Sequence, residues 1–419
     1  MSSVGEKHFL IEKGPGFRSG FSDLGKNLNT KTITAGVVAA IFGCTGPALI
    51  TINASTTAGY NTAQTVSWLF GIYVFGGLIS IIMALYYKMP IVGAYSIPGA
   101  TMLGAALTGF TFNEAAASFI IAGIIVLILG VTGLIGKVMK WLPQPIVMGM
   151  IGGCMLRFGT SIVTSTKESP IICSVALLGF FIIPKLIKKF PPVLAALICG
   201  FIALLITGTV NSNAFNNMTY IPPQVVIPHF NVATILSVSV PLAVLVMGAE
   251  NAQAIGVLYA QSYRPPINAM TIVSGIGGIL SGIFGAHNAN IAGPMTAICS
   301  SEEAGENKEG RYAASIVDGI LFVAFGIFAS YTIGFVQAIP ASLVSILAGL
   351  AMINVLINSF QEAFITKKFK IGAFFALIIG TSGISILNIG SAFWALVGGV
   401  IISLICEKKD FVMKAEKVN

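Results

Sequence analysis

Between Thr32 and Cys406 the chain is one apolar run after another, joined by connectors too short to hold a domain of their own. A helix needs about 20 apolar residues to cross the hydrocarbon of a bilayer, and a chain built from such runs has no water-facing core to fold around. The runs fall at about 32–52, 65–86, 91–108, 115–135, 144–163, 170–187 and 191–209, then at 233–260, 267–284, 285–300, 312–337, 341–359, 371–386 and 390–406. Seven lie on each side of a polar, uncharged connector, 210–231. Charged residues make up only 9% of the chain, against roughly 25% in soluble domains. The fold class is an all-α polytopic membrane protein with 14 transmembrane segments. Soluble enzymes and nucleic-acid-binding modules are excluded.

The net charge of +8 then reports orientation. With the N-terminus inside, the inner connections hold Lys88, Lys137, Lys140, Lys185, Lys188, Lys189, Arg264, Lys308, Arg311, Lys367, Lys368 and Lys370; with both tails they gather 21 of the 23 lysines and arginines. Lys167 is the exception, and Arg157 lies within a span. The positive-inside rule therefore predicts a multi-pass cell-membrane (inner-membrane) protein with both termini cytoplasmic. Residues 1–31 read as a cytoplasmic tail without the apolar run of a cleaved leader. Phe17, Phe21, Leu24 and Leu28 form a stripe on a short helix expected to lie at the lipid surface. Residues 32–209 and 232–406 are the two seven-span halves, 210–231 an extracellular connector, and 407–419 a cytoplasmic tail.

An odd number of spans per half turns the second half upside down relative to the first, an inverted repeat. The third segment of each half is short and broken by proline: Gly93-Ala-Tyr-Ser-Ile-Pro-Gly-Ala-Thr101 and Gly285-Ala-His-Asn-Ala-Asn-Ile-Ala-Gly-Pro-Met-Thr296. Matched broken spans point to a transporter's binding site, because non-helical backbone at that depth must be buried in protein or line a wet cavity. The half-helices that restart near Pro98 and Gly293 aim free N–H groups and positive dipole ends at whatever fills that cavity. The substrate-binding candidates are Tyr95, Ser96, Ile97, Pro98 and Gly99 in the first break, and His287, Asn288, Asn290, Ile291 and Gly293 in the second.

Glu250 lies 14 residues before Arg264, about 21 Å into the membrane at 1.5 Å per residue. A carboxylate at that depth must face a cavity, hold a proton or have a partner. With Asn251 beside it, it joins the substrate candidates and leads the proton-coupling set, which also contains Asp318 and His287. Arg157 is read as a gate, a member of the proton path or a structural tether. No histidine cluster or His-Glu-x-x-His motif is present, so neither a metal nor a cofactor is expected. An intramembrane hydrolase built on Ser385 and His287 would need them together, and they lie in different segments; no enzymatic activity is expected.

Ala63-Gln-Thr-Val-Ser-Trp-Leu-Phe70, Lys88-Met-Pro-Ile91, Tyr95-Ser-Ile-Pro-Gly-Ala100, Leu156-Arg-Phe-Gly159, Tyr263-Arg-Pro-Pro266, Asn290-Ile-Ala292 and Thr296-Ala-Ile-Cys299 together resemble the benzoate/proton symporter (BenE) family, in order over most of 32–406. The resemblance implies the fold of the uracil permease-type nucleobase transporters. In it, spans 1–4 and 8–11 form a core, spans 5–7 and 12–14 form a gate, and members often form homodimers. It also implies a substrate held between the half-helices of spans 3 and 10, beside span 8. One motif departs: benzoate-type members carry Ser-Gln-Asn where this chain has Ala249-Glu250-Asn251, and a glutamate there looks more like the nucleobase permeases. The expected partners are protons, the lipid bilayer and a small planar aromatic or heterocyclic substrate, benzoate first. A nucleobase:proton symporter and a passive anion channel or exchanger are the alternatives.

Overall fold

The computed structural model describes residues 11–133, 143–187, 190–209, 219–384, 386, 387, 389 and 391–411. Lys137, Lys140, Lys188, Lys189 and Ser385, named above, lie outside the described residues, as do parts of the connector and of both tails. The regular structure of the described residues is helical apart from two three-residue strands. Six stretches are long and apolar enough to cross a membrane: Thr30–Thr57, Thr62–Tyr87, Phe112–Thr132, Gln144–Glu168, Val232–Tyr259 and Lys308–Ile327. Shorter apolar helices fill the spaces between them. Large side chains such as Leu186, Ile206 and Ile405 are at least 75% exposed, as the lipid-facing surface of a membrane protein requires.

The first half runs α1 (Phe17–Asn27), α2 (Thr30–Cys44), α3 (Gly46–Thr57), α4 (Thr62–Tyr87), β1 (Gly93–Tyr95), α5 (Ile97–Ala106), α6 (Phe112–Thr132), α7 (Gln144–Glu168), α8 (Pro170–Leu186) and α9 (Pro192–Thr207). The second runs α10 (Val232–Tyr259), α11 (Ile267–Gly282), β2 (Ala289–Ile291), α12 (Gly293–Ser300), α13 (Tyr312–Ile327), α14 (Ala329–Gln337), α15 (Ala341–Ala351), α16 (Ile353–Phe364), α17 (Lys370–Ser382) and α18 (Ser391–Cys406). Three expected spans are therefore two helices each, broken at Thr45, Phe328 and Met352. The break at Thr45 has a plain cause. Pro47 lacks the N–H that would bond the Gly43 carbonyl four residues back. The Tyr73 hydroxyl donates to that carbonyl at 2.6 Å instead, and the Tyr95 hydroxyl lies 3.2 Å from it.

The amphipathic N-terminal helix forms over α1, with Phe17 and Phe21 exposed and Leu24 packed beside Leu85 and Tyr312. Leu28 is not part of its stripe; it is the residue that ends the helix. Close helix packing rests on small residues. A Cβ on Gly149 or Gly153 of α7 would come within 2.3 Å of a backbone oxygen of α17.

Candidate functional site

The two broken segments meet in the middle of the protein. β1 and β2 pair antiparallel, Gly93 opposite Ile291, Ala94 opposite Asn290 and Tyr95 opposite Ala289. The pairing satisfies backbone groups that apolar surroundings would leave unbonded, and it fixes where each following half-helix starts. Ser96 caps α5, its Oγ accepting from Gly99 N–H at 3.0 Å. Pro98 occupies the first turn of α5 and Pro294 that of α12, where a missing N–H costs nothing.

Glu250 joins the two helix starts. α10 carries a π-helical turn over Val246–Asn251, a distortion common at functional sites, and this turn directs the carboxylate between the half-helices. Its Oε1 accepts from Ile97 N–H at 3.1 Å and its Oε2 from Gly293 N–H at 3.4 Å. Glu250 is 2% exposed. A carboxyl group thus bridges two positive dipole ends, an arrangement favoured by both hydrogen bonding and the macrodipoles. Gln253, one turn on, lies so close to Gly293 that a Cβ there would fall 2.5 Å from its Oε1.

The carboxylate borders a cavity of about 530 Å³. Ile97, Pro98, Glu250, Gln253 and Pro294 form one wall; Met148 and Ile151 of α7 face them, with Asn354, Val355 and Asn358 of α16. Gln144 and Glu362, exposed and hydrogen-bonded at 2.6 Å, stand at its rim. Such a space is of ligand-site size, apolar with a few convergent polar groups. Sequence reasoning missed the α16 residues, although Asn354, Asn358 and Glu362 recur at helical spacing on one face and could have marked a wet surface.

Other sequence candidates support the site from behind. Trp68 Nε1–H donates to His287 Nδ1 at 2.7 Å, and His287 Nε2 is 3.0 Å from the Ser96 carbonyl. Accepting at one ring nitrogen and donating at the other makes His287 a neutral imidazole that braces the α5 cap. The Tyr95 hydroxyl turns away towards Tyr73, 2.7 Å off. Asn251 Oδ1 accepts from Ser274 Oγ at 3.0 Å, and that oxygen accepts from Ile291 N–H at 3.1 Å. Asn288 and Asn290 are fully buried, with Asn290 Nδ2 on its neighbour's carbonyl. None of these five side chains lines the cavity. Asp318 is buried in α13, 3.4 Å from Ser80 Oγ, which accepts from Gly93 N–H at 2.7 Å. A single hydroxyl therefore connects Asp318 to β1. Among the described residues no three His, Cys, Asp or Glu side chains gather as a metal site.

The chain is similar in sequence and in fold to known membrane proteins. The chain is 31% identical over 386 residues to the inner membrane protein YdcO of Escherichia coli, covering 91% of this chain and 98% of that one. It is 26% identical over 377 residues to the benzoate membrane transport protein of Acinetobacter baylyi, covering 89% and 94%. Its fold is similar to the transmembrane domain of the cyanobacterial bicarbonate transporter BicA, at TM-score 0.56, 16% identity and coverage of 90% and 97%. It is also similar to murine Slc26a9, an anion transporter in the inward-facing state, at TM-score 0.60, 13% identity and coverage of 96% and 72%. These fold relatives are anion transporters, so the nucleobase-permease comparison gains no support from them. The family model described as benzoate membrane transport protein matches residues 26–405, and the chain belongs to that family, BenE, of membrane transporters.

Proposed function

We propose that the protein is a proton-coupled importer of benzoate-like aromatic carboxylates across the inner membrane, working by alternating access. One observation carries this reading: Glu250 holds the N–H groups that open both half-helices. Its carboxylate occupies the place a substrate carboxylate needs. Two carboxylates cannot share that place at low dielectric, because like charges repel strongly there. A proton on Glu250 removes its charge and frees the N–H groups, and the substrate anion takes them while its ring rests on Pro98, Ile151 and Val355. One proton then enters with each carboxylate. A nucleobase is the alternative: each Glu250 oxygen keeps a lone pair beyond its one backbone donor, enough to accept ring N–H groups without releasing the half-helices, and such binding would take up no proton.

The same reading keeps fourteen passages in two inverted halves, 32–209 and 232–406, with both tails and the basic connections cytoplasmic and 210–231 outside. It is supported by the cavity rim at Gln144 and Glu362, the latter a few residues before Lys367, Lys368 and Lys370 in the chain; with those lysines cytoplasmic, the arrangement is inward-open. It is also supported by the cavity's two walls. The half-helices and Glu250 belong to the expected core, and α7 and α16 to the expected gate.

Proteoliposomes test the proposal through initial uptake of labelled benzoate, with the leak of protein-free vesicles subtracted. An inward proton gradient is expected to drive accumulation that unlabelled benzoate inhibits and uracil or xanthine does not. Glu250→Gln is expected to abolish the response to the gradient while benzoate exchange continues. Uptake indifferent to the gradient would instead identify a passive exchanger.

A further inference from the structure

On the far side of the Glu250 cavity lies a second one of about 530 Å³, bordered by α5, α7, α17 and α18. It contains a single charged side chain, Arg157, among Thr57, Thr101, Thr108, Thr381 and Ser391. Arg157 is exposed and lines this cavity as well as a smaller one of about 150 Å³ beside Asn53 and Ser345. One of its nitrogens, Nη2, donates to the Thr101 carbonyl at 2.6 Å, and no carboxylate of the described residues pairs with it. Gly104 admits it, since a Cβ there would lie 3.0 Å from Nη2. A cation at membrane depth is costly unless it meets water or an anion, and a guanidinium presents a planar fork of donors that suits a carboxylate.

The two cavities are consecutive along one path. Pro98 and Ile151 border both the Glu250 cavity and the gap between them, and Met102 and Cys154 border both that gap and the Arg157 cavity. Met102, Met150, Met155, Ile151 and Leu245 close the gap, leaving no room for a water molecule. Methionine is a flexible apolar filler that can repack without leaving a fixed hole.

We propose that Arg157 forms a carboxylate-capture site on the outer face, separated from the Glu250 site by a methionine plug. The capture site concentrates aromatic carboxylates when the plug is shut and hands them to the half-helices when it opens. This rests on the transport reading above, and the experiment separates the two. Initial benzoate uptake is measured from either face, in right-side-out and inside-out vesicles. Arg157→Gln is expected to raise half-saturation from the Arg157 face about tenfold to a hundredfold, the range of a lost charge-assisted bond. Half-saturation from the Glu250 face should stay within about twofold of wild type. Arg157→Lys, which keeps the charge but loses the fork, should fall between. In the wild-type protein, benzoate should also slow modification of Arg157 by an arginine-selective dicarbonyl, a readout that needs no variant to fold. An Arg157→Gln protein unchanged on its own face, or modification indifferent to benzoate, overturns the capture site alone. Wild-type protein that carries no benzoate overturns the transport reading and this site with it.

Discussion

The residue that organises the site is an acid that pairs with no cation among the described residues. Glu250 was legible in the sequence because nothing else in its run Val244–Ile255 is charged. Its partners were not, since backbone N–H groups leave no mark on a sequence and become specific only when two half-helices point at one spot. The Gly43 carbonyl was equally hidden. Its hydrogen bond is removed by Pro47 and replaced from Tyr73 and Tyr95, residues 30 and 52 positions away. Tyr73→Phe leaves Tyr95 able to take over, so a loss of about 1 kcal/mol is expected. Tyr73→Phe with Tyr95→Phe strands a buried carbonyl and should cost about 1–3 kcal/mol beyond that. Thermal or denaturant unfolding in detergent distinguishes the two; equal losses would mean that the tyrosines act only through packing.

At the scale of elements, the broken segments were the most readable feature. Glycine, proline and polar side chains gathered at apolar depth mark a place where the backbone leaves the helix, and 93–95 and 289–291 pair there as strands. The assignment of residues within them was coarser. Periodicity says nothing about which side of a three-residue strand pair faces a cavity, so His287, Asn288 and Asn290 group with Glu250 in the sequence although they stand behind it in the fold. The breaks at Thr45, Phe328 and Met352 interrupt runs that stay apolar throughout, and only the first has a proline, Pro47, to mark it. Ser96 ties these levels together, capping α5 with its side chain and receiving His287 on its carbonyl. Ser96→Ala removes the cap and should destabilise the protein by about 1 kcal/mol. Because the freed α5 start is the proposed anion site, the variant should also weaken benzoate binding. Unchanged affinity would place the substrate away from α5.

For the whole molecule, the serial apolar runs made the class, a mostly helical multi-pass membrane protein, plain from composition alone. The separation of the two cavities, one bordered by Gln144 and Glu362 and the other by Arg157, with methionines closed between them, depends on which state the chain occupies, and a sequence encodes all its states at once. In this state, a cysteine placed at Asn358 in a background without native cysteines should react with an impermeant maleimide from the basic face only. One placed at Thr381 should react from the opposite face only. Benzoate should slow the first reaction; labelling of either site from both faces would contradict a closed plug.

In the proposed cycle, substrate and proton arrive together because a carboxylate must lose its charge to yield two helix ends. Isothermal titration of benzoate into the purified protein, repeated in buffers of different ionisation enthalpy, counts the protons taken up on binding without any membrane leak. The expected result is close to one proton per benzoate in the wild-type protein at a pH where Glu250 is ionised in the unliganded protein, and none in Glu250→Gln. Wild-type binding without proton uptake, or the same uptake in Glu250→Gln, would contradict it.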